Sequence, residues 1–364
     1  MATDERDPGA PSPGRERTAM RRSSPDAGPD SDTAPVLVSC AKDEALFLLE
    51  WVAYHHAIGF GAIILCTNDC SDGTDAIADA LHRLGVIEHH RNAVPPGAHT
   101  QEHAIAHVLA REDVRARDWM LFIDIDEFLN VTTGDGHLDD FLATVPSEAD
   151  VVALRWRSYG DGSETEWMPG LVLEKYTSTQ PAPLDRLRNH KSLYRPWRFA
   201  AGNEHMPKAV PGTQVVLVNS AGAPMRTDAL FDPEQRRFRN RPRLCSWENA
   251  CINHYALKSR DVFLLKNVRG ANSQARRDAT KPPERRLKYR INGPFWRRNR
   301  GTGAEDRTIQ RLLPATRALM AQWRAEAPEI VALEAEAMDR LAARRQIYLR
   351  RLDSGDYRLR TDAL

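Results

Sequence analysis

The sequence has no uninterrupted apolar run long enough to cross a bilayer. Its most apolar window, Ala45 to Cys66, is broken by Glu50, His55, His56 and two glycines, short of the ~20 apolar residues that a spanning helix needs. No charged n-region precedes an apolar h-region, so no secretory leader is expected. The five cysteines are odd in number and form no C-x-x-C pair, which argues for a reducing compartment. Cys66 and Cys70 with His89 and His90, or Cys245 and Cys251 with His254, match no standard zinc spacing. No zinc-finger, RNP or basic-zipper pattern occurs, so nucleic acid is not the expected partner. The expected location is the cytoplasm, with peripheral contact to a membrane surface left open.

What is present describes a globular protein: 364 residues, 41% hydrophobic and 28% charged. That length fits two domains or one large domain with additions. The formal net charge of +1 conceals an asymmetry. Between Arg236 and Arg300 stand 19 Lys/Arg against 4 Asp/Glu, an excess of +15. Such a block forms a solvated face, pairs with the acidic remainder, or receives an anionic partner.

Residues 1–35 are rich in Pro, Gly, Ser, Asp and Arg and offer too little apolar surface to offset the entropy of ordering, so a disordered tail is expected. APVLVSC reads as the first strand, and LFLLEWVAYHHAIG as a helix stopped by Gly59. GAIILC reads as a second strand, AIADALHRL as a helix ended by Gly85, VIEHH as a third strand, Gln101–Arg111 as a helix and WMLFID as a fourth strand. This alternation predicts a mostly parallel α/β sheet with right-handed crossovers. Later segments, DVVALRWRSYG, KSLYRPWRF, QVVLVNS and CINHYALKS, read as further strands or strand edges. Leu312 to Tyr348 reads as a terminal pair of helices packed on the domain.

In such a sheet ligands bind beyond the carboxyl ends of the strands. Three polar clusters fall there: AKDE after strand one, NDCSDGTD after strand two and DIDE after strand four. The stretch LFIDIDEFLN carries Asp124, Asp126 and Glu127 inside an apolar strand pattern. Unpaired buried carboxylates are costly, so either the strand ends at Asp124 or positive charge lies against them. A D-x-D at a strand end presents hard oxygen ligands suited to Mg²⁺ or Mn²⁺ held together with substrate phosphates.

Taken in order, VLVSCAKDE, ILCTNDCSDGTD, WMLFIDIDEFL and INHYALKS resemble the glycosyltransferase family 2 enzymes of GT-A fold, over residues 35 to 270. The resemblance implies a Rossmann-like GT-A domain over 36–270, followed by a basic segment and C-terminal helices over 271–364. It implies a hexosyltransferase-type enzyme with a UDP-, GDP- or dTDP-sugar donor, a divalent metal, and a hydroxyl acceptor on a polysaccharide, lipid-linked or protein substrate. By the same resemblance Lys42, Asp43 and Glu44 face the base and ribose, and Asn68, Asp69 and Asp72 the nucleoside. Asp124 then contacts ribose or sugar and belongs with Asp126 and His254 to the metal set. An imidazole ligand favours Mn²⁺ over Mg²⁺.

Family 2 members generally invert, with a carboxylate as general base. The usual downstream acidic pair is not recognisable here, and Glu204 in AGNEHMP is preferred over Asp161 in SYGDGS. Lys191, Lys208 or arginines of the basic block are candidates to steady the leaving diphosphate. Plainer roles stand beside these: Glu44 as a helix start, Asp72 as the N-terminal charge of the next helix, His254 as a core histidine, and Glu127 as a brace for the turn. A nucleotidyltransferase would want a glycine-rich basic loop after strand one, which AKDEA lacks. A non-catalytic nucleotide- or anion-binding protein would be signalled by loss of the acidic motifs, and both are retained.

Overall fold

The computed structural model describes residues 33–183, 189–238, 246–269, 299 and 303–353. Residues 1–32 of the expected tail, the boundary after residue 270 and most of the basic block beyond it lie outside the described residues. Among the described residues a nine-stranded sheet forms the centre. Its strands are β1 (Val36–Ala41), β2 (Ala62–Thr67), β3 (Glu88–Arg91), β4 (Met120–Phe122), β5 (Glu127–Val131), β6 (Val151–Ser158), β7 (His190–Tyr194), β8 (Leu217–Asn219) and β9 (Ala250–His254). The order is β3-β2-β1-β4-β7-β6-β9-β5, and β8 pairs with β6.

Strands β3, β2, β1 and β4 are parallel. Helices α1 (Ala45–Ile58), α2 (Thr74–Arg83) and α3 (Thr100–Leu109) lie between them in sequence. Strand β1 bears residues for both faces, which explains its continuous apolar run. Leu37 packs with α1 and α2 on one side, while Val36 and Val38 pack with α3 on the other. The mostly parallel α/β sheet with flanking helices is the architecture expected from the sequence.

The strand expected from WMLFID ends before the acidic run, one of the two alternatives for LFIDIDEFLN: β4 stops at Phe122, a turn closes through the Glu127 N–H to the Asp124 carbonyl, and β5 begins at Glu127. The two halves then part. β4 pairs with β1 and β7, whereas β5 lies at the far end of the sheet against β9. Backbone groups of β5 are met by α1. The Trp51 indole N–H donates to the Glu127 carbonyl, and the Tyr54 hydroxyl to the Leu129 carbonyl. His55 bridges the Trp51 carbonyl and the Leu129 N–H, and burial depresses its pKa to about 3. These contacts occupy groups that an exposed edge would offer to another chain.

The C-terminal helices α5 (Leu313–Glu326) and α6 (Glu329–Asp353) follow α4 (Arg260–Arg269) in the described chain. As expected, they pack on the domain: α5 against α1, and α6 against α1, α2 and α4. Covered by the sheet and by α5, α1 is buried almost all round. It carries Glu50, whose oxygens accept the N–H groups of Val172 and Leu173 at 2.7 and 2.9 Å. Burial pushes this carboxyl up to about 7 despite those bonds.

A raised carboxyl favours the native state while protonated, and that contribution is lost as pH rises through about 7. Denaturant titrations of wild type and Glu50→Gln should therefore diverge with pH. The stability difference, wild type minus variant, should fall by on the order of 3 kcal/mol between pH 4.5 and 7.5. A constant difference would show that Glu50 ionises in the fold as it does in water.

Candidate active site

The strand order reverses direction between β1 and β4, which opens a crevice at their carboxyl ends. The loops after β1, β2 and β4 all reach it. Asp72 joins the first two. Its Oδ2 accepts the N–H of Ala45, the first residue of α1, at 2.9 Å. Its Oδ1 accepts the N–H and hydroxyl of Thr74, the first residue of α2, at 2.9 and 2.6 Å. The Thr74 hydroxyl accepts the Glu44 N–H at 2.7 Å. A single carboxylate thus satisfies donors at two helix N-termini, where negative charge is favoured. The plainer role of Asp72 is realised in the geometry, and it extends to a second helix.

Asp43 and Asp69 adopt left-handed backbone conformations, at φ 54° and 49°, which Asp tolerates better than most residues. The Asp43 carboxylate accepts the Ser71 N–H at 2.7 Å and lies 3.5 Å from the Arg344 guanidinium of α6. Arg344 also donates to the Ser71 hydroxyl at 2.6 Å. Lys42 stands 3.9 Å from Asp69, which is largely exposed. Asn68 donates to Asp69 at 3.2 Å. Lys42, Asp43, Asn68 and Asp69 are therefore gathered on one loop pair, with Arg344 beside them.

The turn between β4 and β5 resolves its carboxylates with lysines from elsewhere. Lys191 on β7 is completely buried, with its ammonium 2.9 Å from Asp124 and 3.0 Å from Glu127. Those two carboxylates hold Lys191 protonated against the opposing effect of burial. Glu127 accepts the Asp124 N–H at 2.9 Å and so braces the turn. Burial pushes the Glu127 carboxyl up to about 8, with Lys191 opposing. The other oxygen of Asp124 accepts Gln101 of α3 at 2.7 Å. Both oxygens of Asp124 are engaged within the protein, and Lys191 lies beneath the crevice rather than free to meet a phosphate. Lys208 is also directed elsewhere, donating to the carbonyls of Ala229, Asp232 and Gln235.

Asp126 is buried and differently placed. Its Oδ2 binds the Lys266 ammonium of α4 and lies 3.7 Å from His254 Nε2. Burial alone would raise its carboxyl, but Lys266 and His254 hold it well below the usual range. Lys266 also lies 3.7 Å from Glu44. His254 reaches this point because β9 pairs with β5, placing His254 opposite Glu127. The Trp156 ring, 4.1 Å away centre to centre, packs against the imidazole. Among the described residues no three His, Cys, Asp or Glu side chains gather as a metal-holding group. Of the expected set, Asp126 and His254 come together, while Asp124 is turned to Gln101 and Lys191. One carboxylate and one imidazole suit a divalent cation whose remaining ligands are phosphate oxygens and water.

The two candidate bases sit on separate loops. Glu204 accepts Arg236 at 2.6 Å, and the same guanidinium lies 2.6 Å from Glu102 of α3. Glu102 adjoins Gln101, the partner of Asp124, so Glu204 stands at the same end of α3 as the acidic turn. Asp161 is buried and accepts the Ser163 N–H at 3.1 Å. Its loop docks on the start of α4 through Arg260 and Asp261 N–H groups. Gln101, Lys266, Arg236 and Arg344 were not individually legible, because each meets its acidic partner only in three dimensions.

Lys191→Met should destabilise the fold by about 3–5 kcal/mol, the usual cost of leaving a buried charge without its partner. Adding Asp124→Asn should recover part of that loss, measured by denaturant unfolding, because burial already disfavours charge on Glu127. A single variant as stable as wild type would show that the two carboxylates do not depend on Lys191.

The family model of glycosyltransferase family 92 matches residues 39–261, more than half of the chain. A family 92 protein of Oryza sativa subsp. japonica is 31% identical over 161 residues, covering 43% of this chain and 26% of its own length. One from Ricinus communis is 30% identical over 162 residues, covering 43% and 27%. The chain thus spans about a quarter of the length of these curated relatives. Among solved structures, S. aureus TarS 1–349 in complex with UDP aligns over 87% of this chain and 91% of its own. The identity is 10% and the TM-score 0.32, a likeness too distant to define fold or ligand here. Family 92 is distinct from the family 2 that the motifs resemble, and a glycosyltransferase is what the two readings share. The chain belongs to glycosyltransferase family 92.

Proposed function

We propose that the chain transfers a hexosyl group from a nucleoside-diphosphate sugar to a hydroxyl acceptor, with inversion at the anomeric carbon. The observation that carries this reading is the meeting of Asp126 with His254 at the carboxyl edge of the sheet, beside the β1 and β2 loops. Lys42, Asp43, Asn68 and Asp69 face the nucleoside. Asp126 and His254 hold a divalent cation, Mn²⁺ in preference to Mg²⁺ because one donor is an imidazole. A cation bound there neutralises charge that develops on the departing diphosphate.

The chain's own groups do the rest. Glu127 and Lys191 fix the turn that presents Asp126, and Gln101 and Lys191 hold the Asp124 carboxylate, whose remaining lone pairs are read as meeting the ribose or sugar. Glu204 takes the acceptor proton, held in place by Arg236. UDP-, GDP- and dTDP-sugars are the donors to test. The acceptor is a polysaccharide, lipid-linked or protein hydroxyl. Among the described residues no helix is long and apolar enough to cross a membrane.

Hydrolysis of a panel of these donors with Mn²⁺ should identify one that is turned over. With that donor, Asp126→Ala should abolish turnover with little loss of stability. Lys266 keeps Glu44 as a partner, and a third of its side chain reaches solvent. Full activity in the variant would remove the metal from the account. Glu204→Gln should lower transfer by roughly 10²–10⁴-fold, the usual contribution of a general base, with donor KM unchanged. An equal loss from Asp161→Asn alone would transfer the role to Asp161.

A further inference from the structure

Two lysines meet the acidic turn, and they are held differently. Lys191 has no exposed side-chain surface and is clasped by Asp124 and Glu127. Lys266 is one-third exposed, approaches from α4 and binds Asp126 at Oδ2, the oxygen that also faces His254 Nε2. A cation coordinated by both Asp126 and His254 would need that same oxygen. The ammonium and the metal therefore compete for one place.

We propose that Lys266 is an exchangeable counter-ion of the metal site, displaced from Asp126 by the divalent cation and received by the donor's diphosphate. This rests on the metal reading above. Glu44 and Asp126 both lie against the ammonium. Withdrawing it without replacement leaves two largely buried carboxylates without their shared lysine, which is unfavourable. A divalent ion at Oδ2 replaces the lost charge. The displaced ammonium sits on a flexible four-carbon stem at the mouth of the crevice, and a diphosphate entering there offers it a new anion.

Neither exchange partner is then well served alone. Metal without diphosphate must displace an ammonium that has lost its best acceptor, and diphosphate without metal meets Glu44 and Asp126 with their lysine still engaged. Binding of the two is coupled through Lys266, and by linkage the coupling is reciprocal. Arg344 does not share this role. It pairs with Asp43 and Ser71 on the neighbouring loop.

The test needs no turnover. Mn²⁺ binding is measured by titration calorimetry or by the paramagnetic resonance of free Mn²⁺, with and without UDP, for the full chain and for Lys266→Met. In wild type UDP should tighten Mn²⁺ binding by roughly 5–150-fold, the usual range of such couplings. In Lys266→Met, Mn²⁺ alone should bind about tenfold more tightly, and the effect of UDP should fall by a similar factor, leaving only the part that comes from its phosphates ligating the metal. Lys266→Gln should behave likewise and serves if the Met variant does not fold. Metal binding by either folded variant that is no tighter than wild type, or that keeps the full UDP effect, overturns the exchange while leaving the metal site standing. If wild type and variants all fail to bind Mn²⁺ even with UDP, the metal reading falls, and the exchange with it.

Discussion

The fold is organised around one electrostatic constraint: four carboxylates converge at the end of β4, and the chain must bring positive charge to them from a distance. Glu127 is fully buried, Asp126 nearly so, and Glu44 stands close by. Lysine comes from β7 for Asp124 and Glu127, and from α4 for Asp126 and Glu44. Each pairing requires a remote segment to be in register. The antiparallel insertion of β7 between β4 and β6 delivers Lys191. The pairing of β9 with β5 delivers His254, and α4 follows that strand directly.

The loops that accompany this turn are held in the same manner, by side chains that close gaps between backbone elements. Asp72 ties the starts of α1 and α2 together, and with them the loops after β1 and β2. Arg344 reaches Asp43 and Ser71 from α6, and Arg345 reaches Asp261 and Glu166. The C-terminal helices thus connect the β1 loop to the helix that bears Lys266.

Much of the first half of the fold could be read from the sequence because its signals are local. Gly59 and Gly85 end α1 and α2 in sequence and in space, and the apolar runs of β1 and β2 are continuous because both faces are covered. That the strand could end at Asp124 was legible in LFIDIDEFLN, but that the chain turns there and starts a second strand at Glu127 was not. Its turn, Asp124 to Glu127, contains no glycine or proline and is stabilised by Glu127 folding back on the Asp124 N–H. The positive charge that such a stretch requires was foreseeable, but its source was not. Lys191 sits 67 residues from Asp124, and Lys266 sits 140 from Asp126. Nothing local distinguishes Lys266 from the other cations of its block. Asp124 was read with the metal because D-x-D spacing places both carboxylates at one strand end, yet the turn sends one to Gln101 and Lys191 and the other to His254.

In the proposed function Asp126 and His254 together hold a divalent cation beside a nucleoside diphosphate. Crystals grown with UDP and Mn²⁺ and measured at the manganese absorption edge test it directly. An anomalous peak bonded to both Asp126 Oδ2 and His254 Nε2, with the UDP phosphates completing its shell, is the expected result. UDP bound in the crevice with no manganese at those two atoms would contradict it.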